Sequence, residues 1–217
     1  MEVERLPGVI TDLIQALLIL EPGMKTPRRV KNIADFLEKS VVSGTVDVRK
    51  QSEYPDLRYE NISGEFSLHQ VSSMVSEIAP FVLFLKYLVR AGHLFIFEEP
   101  ESHLDPANQS RIARAIAMLV NSGVRVLVTT HSDIFLNQIN NLMQTSNLNS
   151  RRRLRMGYKA TEVLKPTEVS AYLFQADGGG THVRQLAVDA EYGITTESFD
   201  NVHRSLYDES IQMEHRR

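Results

Sequence analysis

The sequence predicts an α/β protein with a parallel sheet, flanking helices and additional antiparallel β-hairpins. The unbroken apolar run 94–97 and the largely apolar segment 124–128, which contains Arg125, have the length of strands that are buried on both faces. Between them, Asp105-Pro106 begins a pattern of helical spacing, with Asp as the N-cap and Pro in the first turn. A strand–helix–strand unit of this kind pairs its strands in parallel with a right-handed crossover.

The segment before this unit predicts helices and then antiparallel strands. Residues 10–20 form an apolar helix that Asp12 interrupts, and it falls short of the roughly 20 apolar residues that span a bilayer. An amphipathic pattern over 30–41 predicts a second helix. Alternating residues from Val46 to Leu68 then predict short antiparallel strands. We expect a division into residues 1–60 and 61–217.

Ser72-Ser73 precedes a long apolar stretch, 78–89, which predicts a helix with a serine N-cap. Pro80 predicts a kink in this helix or a late start. A helix N-terminus with a serine hydroxyl is suited to bind phosphate. A plain cap on a core helix is the alternative interpretation.

Two adjacent carboxylates, Glu98 and Glu99, follow the first apolar strand, and the segment 129–133, which contains His131, follows the second. Parallel strands end at the same edge of a sheet, and open α/β sheets bind ligands there. Like charges side by side at the rim of a core cost stability unless a cation neutralises them. The sequence therefore predicts a phosphate-chemistry site at this edge.

The tail continues with a helix near 134–143, an arginine-rich segment and a predicted hairpin whose turn contains Gly178, Gly179 and Gly180. The arginine cluster 151–155 is a candidate contact for nucleic acid, although a solvated loop is the more common structure of such a run. Apolar residues recur at helical spacing in the last segment: Phe199, Val202, Leu206 and Ile211.

The runs "LFIFEEPESHLDP" and "VLVTTHSD" resemble the C-terminal half of ABC-type ATPases, in the branch that includes SMC-like, RecF-like and OLD-family proteins. The resemblance implies part of a P-loop NTPase fold that uses ATP and Mg²⁺ in the cytoplasm. It implies that Glu98 coordinates Mg²⁺, that Glu99 polarises the attacking water and that His131 contacts the γ-phosphate. Asp105 falls in the segment that the family uses across a dimer interface. Most members have Asp where Glu98 stands.

Ser72 and Ser73 occupy the place of the signature segment, which in the family grips the nucleotide of the other subunit, although glycine is absent here. A phosphate-binding loop needs Gly-Lys followed by Ser or Thr, and none of the 11 glycines precedes a lysine. We therefore expect the chain to need a lobe with the Walker A loop, or a homodimer partner, and to be inactive alone. DNA is a further candidate partner.

Composition agrees with a globular protein, with 42% hydrophobic and 24% charged residues. The net charge of −3 gives no general attraction to nucleic acid or anionic membranes, and the lack of cysteine excludes disulfides. A non-catalytic regulatory subunit with an ATPase-like fold is the alternative function. A metal-dependent hydrolase is a third hypothesis, with ligands drawn from Glu98, Glu99, His103 and His131.

Overall fold

The computed structural model of the chain describes residues 8–50, 55–195 and 197–214. The chain folds as two compact units, Met1–Thr129 and Thr130–Arg217. It is a mixed α/β protein that contains a parallel strand pair, flanking helices and antiparallel hairpins, as the sequence predicts. The predicted division at residue 60 stays a prediction. No described helix is both long enough and apolar enough to cross a membrane.

The first unit begins with two helices, α1 (Gly8–Leu18) and α2 (Arg28–Leu37), and a turn of π-helix, Glu38–Val42. An antiparallel sheet of three strands follows in chain order: β1 (Thr45–Lys50), β2 (Pro55–Asn61) and β3 (Gly64–Ser67). The predicted antiparallel strands are thereby confirmed.

The remaining elements of the first unit form the strand–helix–strand arrangement and the helix before it. These elements are α3 (Ser73–Tyr87), β4 (Leu94–Glu98), α4 (Pro106–Asn121) and β5 (Arg125–Thr129). Strands β4 and β5 are parallel, with Glu98 opposite Thr129. Helix α3 begins at Ser73 and continues through Pro80, so the late start that Pro80 predicts is wrong. Its N-cap and the packing of its apolar side chains outweigh the single amide that proline removes.

The core of the first unit lies where α2, α3 and α4 meet. Fully buried side chains from these helices pack there: Ile33, Leu37, Ile78, Leu83, Leu85, Ile112 and Leu119. On one face of the parallel pair, Phe95 and Phe97 pack against Phe81 of α3, with ring centroids 5.3 and 4.8 Å apart. Aromatic contacts of this geometry anchor β4 to the helix.

The other face of the parallel pair is exposed, which corrects the prediction that both strands are buried on two faces. Leu94, Ile96 and Leu127 are 54%, 59% and 54% exposed. Exposure alternates along β4 and β5 because successive side chains point to opposite faces and only one face meets the helices. An apolar run indicates a strand, but it does not show that the chain itself covers both sides.

The described part of the second unit includes the α-helices α5 (Asp133–Gln144), α6 (Ser150–Arg155) and α7 (Glu197–Glu214). Strands β6 (Ala171–Asp177) and β7 (Gly180–Leu186) form the predicted hairpin, and a shorter hairpin joins β8 (Val188–Asp189) to β9 (Gly193–Ile194). Asn140 of α5 holds the shorter hairpin, because its amide donates to the Ile194 carbonyl at 3.2 Å and accepts from the Ile194 N–H at 2.8 Å.

Candidate functional site

Glu98 is the last residue of β4, and it lies opposite Thr129, the last residue of β5. The sequence predicts that the segment 129–133 lies near the acidic pair, and the structure confirms this for Thr129. Glu98 lies on the exposed face of the sheet, in line with Leu94 and Ile96. Among the residues that the structure describes, its side chain makes no hydrogen bond or ion pair. Its carboxylate is thus available to a ligand at the carboxyl end of the strands.

Glu99 has a backbone conformation that non-glycine residues rarely adopt. Its φ is +44°, and its N–H donates to the Thr129 carbonyl at 3.0 Å and lies 3.3 Å from Thr129 Oγ1. Residues held in this left-handed region persist only when the surrounding structure fixes them, and they cluster at functional sites. The turn takes the chain off the sheet immediately after Glu98, so the two carboxylates have different orientations relative to the strand.

Ser102 fixes the Glu99 carboxylate, because its Oγ donates to Glu99 Oε2 at 3.1 Å. The Ser102 N–H also donates to the Glu99 carbonyl at 2.9 Å, which closes a tight turn. The sequence analysis gave Ser102 no role. The Pro-Glu-Ser sequence after the acidic pair is typical of a turn, and that signal could have identified it.

Asp105 caps α4 with both carboxylate oxygens. Oδ1 accepts from the backbone N–H groups of Ala107 and Asn108 at 2.9 and 3.1 Å, and Oδ2 accepts from Asn108 Nδ2 at 2.5 Å. The predicted N-cap is confirmed. In this conformation the Asp105 carboxylate is engaged with the first turn of its own helix.

Ser72 and Ser73 are exposed at the start of α3, where Ser72 Oγ accepts from the Val75 N–H at 3.5 Å. Asn108 links this helix to α4, because its side-chain nitrogen lies 3.4 Å from Met74 Sδ while it donates to Asp105. The N-termini of α3 and α4 are therefore neighbours in the first unit. Buried Asn108 was missed by the sequence analysis, since a polar residue in the first turn of a helix is common and gives no signal of its own.

His131 belongs to the second unit, two residues beyond the end of β5. Ser132 caps α5 by accepting from the Phe135 N–H at 3.0 Å. The proposed contact of His131 with a phosphate stays a prediction. The structure brings together Glu98, Glu99 and Thr129 at one sheet edge, and separately Ser72, Ser73 and Asp105 at two neighbouring helix starts.

A cleft of about 950 Å³, lined by many charged residues, forms elsewhere in the first unit, between α2 and the antiparallel sheet. At its base, Lys86 Nζ lies 3.1 Å from Glu38 Oε1 and donates to the Val46 carbonyl at 2.6 Å. The Tyr87 hydroxyl donates to Asp47. Burial raises the pKa of Tyr87 well above its usual value, and the hydrogen bond to Asp47 raises it further. These groups satisfy one another, as a structural network does.

A protein-family model described as "AAA domain, putative AbiEii toxin, Type IV TA system" matches residues 6–137, which is more than half of the chain. The chain belongs to this family. The matched region is accordingly an AAA-type domain. The match includes α3, the acidic pair, α4 and His131. No curated protein matches the sequence.

Among solved structures, the AAA-type chain is similar to SMC ATPase heads at low identity. One comes from a study titled "Structural biochemistry of ATP-driven dimerization and DNA stimulated activation of SMC ATPases": identity is 12%, the TM-score is 0.47, and 73% of this chain and 83% of that chain are covered. A second is a Pyrococcus furiosus Smc head bound to the C-terminal domain of ScpA. Its identity is 11% and its TM-score is 0.46, and 83% of this chain and 37% of that chain are covered. For the Thermotoga maritima SMC head, the identity is 14% and the TM-score is 0.39, and 75% of this chain and 49% of that chain are covered. This chain thus spans less than half of the latter two.

The sheet edge has an exposed carboxylate, Glu98, that could contact a magnesium ion. The described residues include no group of three or more His, Asp or Glu side chains that could hold a metal ion. The third hypothesis, a metal-dependent hydrolase, stays a prediction. Mg²⁺ bound mainly by nucleotide phosphates needs only one or two carboxylates, and exposed Glu98 meets that need.

Proposed function

We propose that this chain supplies one lobe of an ATP-binding and ATP-hydrolysing site, and that a second lobe carrying the phosphate-binding loop completes it. The exposed aliphatic face of the β4–β5 pair is the observation that carries this proposal. Parallel sheets occur almost only where both faces are covered, since helices cross over each side. Here one face carries three half-exposed aliphatic side chains beside Glu98: Leu94, Ile96 and Leu127.

The exposed face adjoins the sheet edge that carries Glu98, which supports a shared role for the two. Glu98 and Thr129 end the two strands whose outer face is open. A lobe that packed on Ile96 and Leu127 would therefore reach the sheet edge where the carboxylates lie. The sequence has no Gly-Lys step of its own, so the phosphate cradle must come from that lobe.

Each carboxylate has a distinct task in this proposal. Glu98 would hold Mg²⁺, which when bound neutralises charge on the phosphates. Glu99 would accept a proton from the attacking water, and Ser102 keeps its Oε2 in place for that purpose. His131 would orient toward the terminal phosphate. Positioning and charge neutralisation supply most of the catalysis in phosphoryl transfer, so the fixed position of the Glu99 carboxylate suits this role.

The starts of α3 and α4 would face a second nucleotide site in a dimer. Ser72 and Ser73 present a hydroxyl pair and backbone N–H groups, which suit a phosphate. Asn108 ties this helix start to the Asp105 turn, so both segments would move together when a partner binds.

A non-catalytic regulatory subunit is the second candidate, and one observation favours it. The chain lacks any glycine followed by lysine, so by itself it cannot cradle phosphates in the P-loop manner. The two candidates differ in whether the completed assembly turns ATP over.

The test uses the assembly purified through a tag on this chain, with turnover and bound nucleotide measured. We expect the wild-type assembly to hydrolyse ATP and Glu99→Gln to retain ATP with turnover reduced on the order of 100-fold. Glu77→Gln changes an exposed carboxylate of α3 and serves as the matched control. Equal turnover in wild type and Glu99→Gln would remove Glu99 from catalysis. An assembly with neither nucleotide nor turnover would favour the regulatory candidate.

A further inference from the structure

Helix α7 is an 18-residue helix, and several of its apolar side chains are exposed. Val202, Leu206 and Met213 lie on one side of it, because separations of four and seven residues return to the same face. Leu206 is 58% exposed, and the other two are exposed to a similar degree. An isolated helix of about this length is marginal in water, so a stable α7 needs a surface that covers this stripe.

A carboxylate interrupts the apolar stripe of α7. Glu209 is three residues after Leu206 and four before Met213, so it lies on the same face as both. Asp208, its neighbour, lies on a different side of the helix. Burying the stripe against a purely apolar surface would strand the Glu209 charge, which is costly. The surface that covers α7 must therefore combine apolar contact with a cation.

Helix α6 offers such a surface in the same unit. Arg151, Leu154 and Arg155 are spaced three and four residues apart, so they share a face, and all three are exposed. Leu154 is 62% exposed. An arginine fork can bind a carboxylate through two hydrogen bonds while its stem packs on apolar side chains. The α6 face therefore matches the α7 stripe in both charge and hydrophobicity.

Charge also decides against pairing of α7 with another α7. The helix carries five carboxylates and one arginine, Arg204, so two copies repel each other. Helix α6 carries four arginines and no acid. Within one chain, Leu154 and Leu206 both remain exposed, so α7 does not cover the α6 of its own chain.

We propose that this protein forms a nucleotide-independent homodimer in which α7 of each chain docks on the Arg151–Leu154–Arg155 face of the other, with Glu209 bound by Arg155 and Arg151. A twofold axis gives two equal contacts and leaves neither helix uncovered. The contact involves only the second unit, and it stands whether or not the proposed ATPase function is correct.

Sedimentation velocity on the nucleotide-free chain tests the proposal. Wild type should sediment as a dimer, at twice the chain mass of 24.6 kDa. Glu209→Arg and Arg155→Glu should each raise the dimer dissociation constant on the order of 100-fold. The matched controls Asp208→Arg and Arg152→Glu make the same charge changes on other faces of α7 and α6, and they should leave it within roughly threefold.

Mixing the two disruptive variants provides the decisive test. A Glu209→Arg chain and an Arg155→Glu chain have complementary changes at one contact and the wild-type pair at the other, so the mixture should form a heterodimer although each variant alone is monomeric. Circular dichroism checks that both variants are folded.

Three results would overturn the proposal. The first is a monomeric wild type, whether α7 covers its own chain or the arginines instead bind a DNA oligonucleotide added as a probe. The second is equal weakening by Glu209→Arg and Asp208→Arg. The third is a mixture that stays monomeric.

Discussion

Replacing Ile96 and Leu127 with threonine measures how much of the β4–β5 face the chain itself covers. Full burial of a leucine or isoleucine side chain stabilises a protein by roughly 1.5–3 kcal/mol. Ile96 and Leu127 are 59% and 54% exposed, so less than half of that gain is realised in this chain. Threonine is β-branched, a shape that suits a strand. We expect the double variant to lose about 2 kcal/mol in the free energy of unfolding.

Urea unfolding followed by circular dichroism measures this loss, and Ile112→Thr is the control. Ile112 is fully buried on α4, so its replacement removes apolar volume and buries a hydroxyl. That single change should cost about 3 kcal/mol. A double variant that loses twice as much as the control would show that the face is already covered, and it would refute the argument for a second lobe.

The same double variant should also weaken the docking of a lobe on this face. Covering the exposed halves of Ile96 and Leu127 would contribute about 2 kcal/mol to that contact, which corresponds to roughly 30-fold in the dissociation constant. Recovery of the lobe with the tagged chain at limiting concentration measures this effect. Undiminished recovery would place the lobe elsewhere on the molecule.

Three further predictions concern stability. Tyr87→Phe should cost about 1 kcal/mol at neutral pH through the lost hydrogen bond to Asp47. Because the Tyr87 pKa is raised in the folded state, the contribution of Tyr87 to stability is full below the ordinary value near 10 and falls at higher pH. Thermal melts at rising alkaline pH should therefore show a larger loss of stability for wild type than for Tyr87→Phe. Asp105→Ala should cost about 1 kcal/mol by removing the α4 cap, and Asp105→Asn much less. Gly193→Ala should cost about 2 kcal/mol, because φ is +83° and the added methyl would overlap the Asn140 side chain.

Each of these predictions has an outcome that contradicts it. If the melting temperatures of wild type and Tyr87→Phe fell equally with rising pH, the pKa of Tyr87 would be the same in the folded and unfolded states. Equal stability of the Ala and Asn variants at Asp105 would mean that its hydrogen bonds to α4 contribute nothing. Unchanged melting of Gly193→Ala would mean that the β8–β9 turn does not require glycine; Gly178→Ala, at an open position in the other hairpin, is the control.

The local elements of the candidate site could be predicted from the sequence. Asp105-Pro106 predicted the start of α4 because capping depends on one side chain and the next few amides. The parallel pairing of β4 and β5 followed from chain connectivity, since a helical crossover returns the strand in the same direction. Glu98 and Glu99 were identified because charges that directly follow an apolar strand must lie at its end.

The contacts that organise the site depend on residues distant in the sequence. Asn108 approaches Met74 across 34 positions, and the Glu99 N–H reaches Thr129 across 30. Neither pairing produces a repeating pattern in the sequence, because each involves a single residue on each side. The unusual φ of Glu99 also arises only when the sheet edge holds both ends of its turn.

The sequence by itself determined the order of strands and helices, the acidic pair and the lack of a glycine–lysine loop, because these properties reside in neighbouring residues. Only the tertiary structure decided which faces are covered. Identical apolar runs would describe a strand buried on both sides or on one, and the packing of α3 on Phe95 and Phe97 leaves Leu94 and Ile96 exposed. Burial is a property of what surrounds a residue, so the exposed sheet face and the exposed stripe of α7 became visible only in three dimensions.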